Sequence, residues 1–130
     1  MGAERARPVV LDTGALIAFE RNDRRIRTLV ELAIANRGAL HAPAGVIAQA
    51  WRGGRTQARI ARLLGSGVVS ITALDADEAR AVGVLCRETG VSDVVDASVV
   101  LLARRHSARV VTSDPDDIRR IDAALDLVPC

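Results

Sequence analysis

Four aspartates stand at positions where neighbouring elements could bring their carboxylates together. Asp12 directly follows the apolar run Val9–Leu11, and Asp114 comes shortly after a second such run. Asp93 and Asp96 lie three residues apart at the start of a helical pattern, which places them on one face of that helix. Clustered carboxylates repel one another, and burial raises their pKa values unless a cation compensates. Oxygen ligands without clustered Cys or His favour Mg²⁺ or Mn²⁺, ions that suit phosphodiester hydrolysis.

Each acid taken singly also has a structural interpretation. Asp12 could cap a helix that starts near Gly14, and Asp114 before Pro115 is typical of a helix N-cap. Other acids could complement helix dipoles, namely Asp93, Asp96, Asp116 and Asp117. The acids taken together favour a metal site, because capping gives no reason to gather mutually repelling groups.

The elements that would position these acids are short apolar runs that alternate with segments of helical period. The runs predict strands at Pro8–Leu11, Leu40–Ala42, Val68–Ile71, Arg109–Thr112 and, less regularly, Leu125–Val128. This alternation predicts a three-layer α/β fold, with a central, mostly parallel sheet of four to five strands flanked by helices. Ligands bind such sheets beyond the carboxyl ends of the strands. If the first and fourth strands are neighbours, Asp12, Asp96 and Asp114 therefore converge at one edge.

Helices are expected between the strands. Their start and stop signals give Ile26–Ile34 ended by Gly38, Pro43–Trp51, Arg55–Leu64, Asp75–Glu88 closed by Gly90, and a helix capped by Ser92 that runs to His106. No repeat or linker interrupts this order, so we expect a single domain over residues 1–130.

Composition excludes several function classes. All 18 basic residues are arginine, and the absence of lysine excludes P-loop, Schiff-base and receiver-type chemistry. Only Phe19 and Trp51 are aromatic, which argues against base-stacking platforms such as the RRM and OB-fold. A net charge of +2 does not by itself indicate a nucleic-acid binder. Two cysteines without metal-ligand spacing and no apolar run of membrane length favour a cytoplasmic protein.

Three segments together resemble the acidic motifs of PIN-domain ribonucleases: Val9–Leu16, Asp93–Ala97 and Val111–Asp117. The chain length and single-domain plan resemble the VapC toxins of type II toxin–antitoxin modules. The resemblance covers essentially the whole chain and implies a PIN-like fold and a Mg²⁺- or Mn²⁺-dependent endoribonuclease. It implies Asp12, Asp96 and Asp114 as catalytic metal ligands, with Asp93 as a further ligand and Asp117 as an auxiliary. It also implies an RNA substrate, an antitoxin that binds early helices and occludes the site, and a homodimer or a toxin–antitoxin hetero-oligomer.

One position departs from the family pattern. The family's glutamate on an early helix is replaced here by Gln49, whose amide oxygen can hold a hard cation or its water but brings no charge. We therefore expect weaker metal affinity unless Asp93 supplies the missing charge. The alternative is a catalytically impaired PIN-like module that binds protein or RNA.

A different enzyme class is suggested by Leu11–Ala15, which matches the local motif of retroviral-type aspartic proteases. That chemistry needs two such aspartates facing each other across a dimer of all-β subunits. The helical periods that follow the motif disfavour this interpretation.

Further residues are expected to have supporting roles. Arg52, Arg55, Arg59 and Arg62 would form one basic stripe on a helix, either to track an RNA backbone or as a solvated face. Thr13, Thr112 and Ser113 could hydrogen-bond the carboxylates or the scissile phosphate, or satisfy strand-end backbone groups. His41 and His106 are expected to be isolated from each other and from the acids.

Overall fold

A computed structural model describes residues 7–130, so the N-terminal boundary of the predicted domain at residue 1 lies outside the described residues. This part of the chain contains five strands: β1 (Val9–Leu11), β2 (Leu40–Pro43), β3 (Val69–Thr72), β4 (Arg109–Thr112) and β5 (Leu127–Pro129). They form one sheet in the order β3-β2-β1-β4-β5, and every pairing is parallel. The predicted α/β class and all five strands are confirmed, with β5 starting two residues later than expected.

Seven helices connect these strands within the described residues: α1 (Thr13–Glu20), α2 (Arg24–Ala35), α3 (Ala44–Ala50), α4 (Ala58–Gly65), α5 (Ala76–Thr89), α6 (Val94–His106) and α7 (Pro115–Ile121). The chain moves one way from β1 to β3 and returns across β1 to β4 and β5. Right-handed crossovers then place α1–α4 on one face and α5–α7 on the other. None of the described helices is long and apolar enough to cross a membrane.

The core lies on both faces of the central strands and is built from aliphatic side chains. Val10 and Val110 are completely buried in β1 and β4. Helix α6 contacts β1, β2 and β4 and buries an almost continuous aliphatic surface. Because both faces are covered at the centre of the sheet, β1 and β2 are buried along their whole length rather than alternating. The acids that follow β1 and β4 are therefore held at the end of the buried centre of the sheet.

The start of α6 and the end of α2 are capped by residues other than the predicted ones. Asp93, not Ser92, caps α6, because its carboxylate reaches the backbone N–H groups of Val95 and Asp96, each at 3.0 Å. Helix α2 ends with Arg37 rather than Gly38 in the left-handed conformation (φ 57°). The N–H of Gly38 then donates to an earlier carbonyl of the helix, which closes a Schellman-type end.

The stretch after α3 does not form the single helical stripe of arginines. Pro43 is both the last residue of β2 and the N-cap residue of α3, one position before the first helical residue, and Arg52 lies in the loop that follows α3. Arg55 belongs to a short 3₁₀ turn, Arg55–Gln57, before α4. The buried Gln57 fixes this loop. Its side-chain oxygen accepts from the N–H groups of Arg52 and Gly53, and its amide nitrogen donates to a carbonyl of α3 at 2.6 Å.

The two histidines are not isolated from each other. The rings of His41 and His106 stack with centroids 3.9 Å apart, because α6 packs against β2 and its last residue reaches His41. Burial, and then the neighbouring His106, lowers the pKa of His41. The pair is a structural contact between a strand and a helix.

Candidate metal centre

The pairing of β1 with β4 places two aspartates side by side. Leu11 lies opposite Val111 in the parallel register, so the residues that follow both strands emerge at the same sheet edge. The N-terminus of α6 faces this edge and adds Asp93 and Asp96. The result is a cavity of about 270 Å³, the acid cavity, whose carboxylates are Asp12, Asp93, Asp96, Asp114 and Asp117. The structure thus brings together all five aspartates that were predicted for the site.

Asp12 is the most deeply buried of these carboxylates. It accepts a hydrogen bond from the N–H of Ala15 at 2.9 Å and lies beside the Thr112 side chain and the Ser113 backbone. Burial nevertheless raises its pKa above the ordinary value, and the charge of Asp114 adds to that shift. The hydroxyl oxygen of Thr112 accepts from the N–H of Asp114 at 2.9 Å, which leaves its proton available to the neighbouring Asp12 carboxylate. Thr112 thus links the two strand-end aspartates, in one of the roles considered for it.

Asp96 carries the strongest electrostatic effect of the cluster. Burial raises the pKa of its half-buried carboxyl to about 6, and the charges of Asp93, Asp117, Asp12 and Asp114 contribute in that order. Since all four act on one group, the five carboxylates face a common volume. A cation in this volume would relieve both the repulsion and the cost of burial.

Helix capping explains some of these acids and leaves others unexplained. Asp12 and Asp93 do cap α1 and α6. Asp114 occupies the N-cap position of α7, yet within residues 7–130 its carboxylate makes no capping hydrogen bond. Asp96 likewise lies inside the first turn of α6 rather than at its cap. Capping of a helix N-terminus therefore does not explain the carboxylates of Asp114 and Asp96.

Gln49 and Thr13 complete the polar lining. The hydroxyl of Thr13 donates to the side-chain oxygen of Gln49 at 2.5 Å, and both residues line the acid cavity with Ser113. One lone pair of the amide oxygen is used by this bond, which leaves the other for a ligand. The side chain of Gln49 is therefore able to act as a neutral oxygen ligand to a cation in the acid cavity.

The donor set fits a hard divalent ion. Five carboxylates and an amide oxygen surround one cavity, and no cationic side chain is among the described residues that line it. As they stand, no three His, Cys, Asp or Glu side chains in residues 7–130 lie close enough to hold one ion directly. Mutual repulsion separates unneutralised carboxylates, and Mg²⁺ is bound in proteins through few carboxylates and several waters. Binding would therefore require the side chains to rotate inward or waters to bridge to the ion.

Gly14 is a site residue whose individual role the sequence did not reveal. A Cβ at this position would lie 1.9 Å from Oγ of Ser113 and 2.6 Å from its Cβ. Helix α1 can therefore approach the end of β4 only because residue 14 has no side chain. The available signal was a glycine in the first turn of a helix, where it costs helix stability without capping anything.

The arginines predicted to contact RNA lie apart from the acids. Of the described residues, the acid cavity includes none of Arg52, Arg55 and Arg59. The guanidinium group of Arg52 folds back onto carbonyls of α3 and its end, and that of Arg59 donates to the carbonyl of Glu20. A role of these residues in RNA binding stays a prediction.

Three solved structures resemble this fold at low sequence identity. VapBC2 from Rickettsia felis, bound to a DNA fragment from its promoter, has a TM-score of 0.66 at 17% identity, covering 94% of this chain and 98% of that chain. FitAB bound to the IR36 DNA fragment has a TM-score of 0.61 at 15% identity, with 93% and 94% covered. FitAcB from Neisseria gonorrhoeae has a TM-score of 0.58 at 16% identity, with 92% and 95% covered. At these identities the likeness concerns the fold alone.

No curated protein matches the chain significantly in sequence. The family model of the PIN domain matches residues 9–124, a span that includes both sheet-edge aspartates, the start of α6 and all but the last strand. With that match over most of its length, the chain belongs to the PIN domain family.

Proposed function

We propose that this chain is the toxin of a toxin–antitoxin pair and acts in the cytoplasm as a Mg²⁺-dependent endoribonuclease. PIN domains are nucleases, and the structural neighbours are toxin–antitoxin complexes, which supports a nuclease toxin. The observation that carries the proposal is the acid cavity, where burial and then the charges of four surrounding carboxylates raise the pKa of Asp96. A bound cation would relieve the repulsion in such a cluster, and a cation at a sheet edge suits phosphodiester hydrolysis.

The aspartates would have different roles according to their positions in the cavity. Asp12, Asp96 and Asp114 would hold Mg²⁺ or Mn²⁺, with Asp93 as a further ligand and Asp117 at the rim. When bound, the ion makes water a better nucleophile and offsets the charge that develops on the phosphate. The N–H of Ala15 keeps Asp12 oriented beside Thr112, and Asp93 holds the start of α6 in place through its capping bonds. Thr13 and Gln49 present a neutral polar wall to the substrate.

A second groove is suited to an antitoxin. It lies between α2 and α4, has a volume of about 460 Å³, and includes the apolar side chains of Phe19, Val30, Ile34 and Leu63. Ile34 is 45% exposed, and arginines of both helices stand along the groove. An apolar helix or strap that carries acidic residues would complement this surface. We also propose that the toxin forms a homodimer or a hetero-oligomer with its antitoxin. The mass of the isolated chain in solution tests the homodimer.

The nuclease is tested by RNA cleavage. The purified chain is incubated with pooled tRNA and rRNA in Mg²⁺, in Mn²⁺ and in EDTA, and with single-stranded DNA of matched length. We expect RNA cleavage that requires the metal and is lost in Asp114→Asn, a variant that keeps the fold because this carboxylate caps nothing. Asp116→Asn is the matched control, since Asp116 neighbours the site but does not line the cavity. Metal-independent cleavage, or equal cleavage by Asp114→Asn, would contradict the proposal.

The neutral Gln49 supports a second candidate, a PIN-like binding module with an impaired site. The amide oxygen already accepts from Thr13 and adds no charge to the cluster. Gln49→Glu discriminates the two. If the wild type is inactive and Gln49→Glu gains metal-dependent cleavage, the binding module is the correct function; if the wild type already cleaves, glutamine is tolerated.

A further inference from the structure

A second cavity of about 340 Å³ opens beside the acid cavity. The two share Asp93, Asp96 and Asp117, so they form one continuous depression. The rest of the second cavity is formed by Gly90–Ser92, at the turn between α5 and α6, and by Arg120 of α7. A strand bound over the acid cavity can therefore continue into this neighbouring space.

Arg120 places a positive charge on one side of the two cavities. It is the only cationic side chain among the described residues that line either cavity. The five aspartates repel every phosphate that is not neutralised, and the side that carries Arg120 is the one where a further phosphate meets a positive charge. Electrostatics thus favour one path for a polyanionic strand across the site.

The guanidinium group of Arg120 can bind a second partner at little cost. Its Nη1 donates to Oδ1 of Asp117 at 2.9 Å, and the side chains of Arg120 and Asp117 are 72% and 47% exposed. Ion pairs this exposed contribute little to stability. A guanidinium carries five N–H donors in a planar fork, so further donors are available to a phosphate while the bond to Asp117 is kept.

We infer that the cavity formed by Gly90–Ser92, Asp93, Asp96, Asp117 and Arg120 is a subsite for the nucleotide next to the scissile bond, and that Arg120 binds the phosphate of that nucleotide. The inference rests on the proposed function and adds the direction in which the RNA strand crosses the site. Arg120 is a substrate-binding residue here, and the chemistry of bond cleavage stays with the acid cavity.

The chain supplies a matched control for this residue. Arg119, one position earlier on α7, pairs with Asp116 three residues before it, as Arg120 pairs with Asp117. Neither Arg119 nor Asp116 belongs to the part of the structure that lines the two cavities. We expect Arg120→Ala to raise KM about tenfold with kcat nearly unchanged, the size of one lost charge-assisted hydrogen bond. Arg119→Ala should leave both constants within about twofold, and Arg120→Lys should recover part of the loss.

A second readout separates phosphate binding from an indirect effect through Asp117. Each oligonucleotide of a series carries one uncharged methylphosphonate, placed at a different linkage on either side of the cleaved bond. The sugar at the methylphosphonate linkage is 2′-deoxy, because a 2′-hydroxyl there would cause self-cleavage. The controls carry the same sugar and an ordinary phosphate. The wild type should lose about tenfold in kcat/KM at one neighbouring linkage, and Arg120→Ala should lose nothing further there, because the partner is already missing.

The outcomes separate the two proposals. Coupling between Arg120 and one flanking phosphate supports the subsite. If the wild type cleaves RNA but Arg120→Ala behaves as Arg119→Ala, or responds to every methylphosphonate as the wild type does, the subsite is wrong and the nuclease stands. If the wild type cleaves no RNA with either metal, the proposed function fails and the subsite fails with it.

Discussion

At the residue scale, the carboxyl of Asp96 reports the electrostatics of the whole site. Its pKa is raised from 3.8 to about 6 by burial and by four neighbouring acids. A group that binds its proton more tightly when folded stabilises the fold at low pH, and this contribution is lost as the pH rises from about 4 to about 6. Above that range the ionised cluster opposes folding unless a cation is bound.

The first prediction follows for Asp96→Asn without metal. The melting temperatures of wild type and variant should be close near pH 4, and the variant should become the more stable as the pH rises through 6. Thermal denaturation in EDTA measures the difference in melting temperature between wild type and variant. Contributions that both proteins share, such as that of His41, cancel in this difference. Added Mg²⁺ should stabilise only the wild type at neutral pH. A difference that does not change with pH would show that Asp96 is not held among other charges.

The second prediction concerns Gly14, where a side chain would overlap Ser113. Gly14→Ala should cost about 1–3 kcal/mol of unfolding free energy, because the helix or the strand end must shift. Measured by urea denaturation, Gly14→Ala combined with Ser113→Gly should recover most of the loss, since the overlapping atoms are removed.

Gly83 provides the control for this substitution. It lies within α5, and nothing in the described structure is within 4 Å of a Cβ built there. Gly83→Ala should therefore gain about 0.5–1 kcal/mol from helix propensity. An equal gain at Gly14 would contradict the close approach of α1 to the end of β4.

At the element scale, α3 carries Gln49 and is held at its end by the side chain of Gln57. Three hydrogen bonds join Gln57 to the backbone of the loop and of α3, and the residue is buried. Gln57→Ala leaves one buried and two part-buried backbone groups without partners and should cost about 3 kcal/mol. Thr56→Ala, at the exposed neighbouring position, should change stability by less than about 0.5 kcal/mol. Urea denaturation decides between them, and equal values for the two variants would mean that the loop is not fixed by Gln57.

The presence of the strands and helices was predictable from the sequence because apolar runs and helical periods are local patterns. The residues at which helices begin and end were not predictable where they depend on one hydrogen bond. Ser92 and Asp93 are both good N-caps, and only the reach of the Asp93 carboxylate to two N–H groups decides between them. The basic stripe failed for a similar reason, since the 3₁₀ turn before α4 is set by the tertiary contacts of Gln57.

At the scale of the whole molecule, the site lies where the order of the strands reverses. The chain leaves β1 toward β2 and later returns to the other side of β1 with β4, so the switch point lies between these two strands. Ligands bind open α/β sheets at this crevice. Asp12 and Asp114 follow β1 and β4, so the sequence predicted their convergence on the condition that these two strands are neighbours, and the structure meets that condition.

What the sequence did not reveal are contacts between side chains distant in the chain. The stacking of His41 on His106, the fit of Gly14 against Ser113 and the position of Arg120 beside the acids all depend on packing in three dimensions. No local pattern encodes such distances, so residue type gave the chemistry of the site but not its shape.

The central claim is that the five aspartates form one divalent-cation site, and Mn²⁺ binding tests it most directly. Titration of the metal-free protein, followed by calorimetry and by the EPR signal of free Mn²⁺, gives the Kd for wild type, Asp96→Asn and Asp116→Asn. We expect saturable binding by the wild type, at least about tenfold weaker binding by Asp96→Asn, and no change in Asp116→Asn, whose exposed carboxylate lies outside the cavity. No binding by the wild type at millimolar Mn²⁺, or equal affinity in Asp96→Asn, would contradict the account.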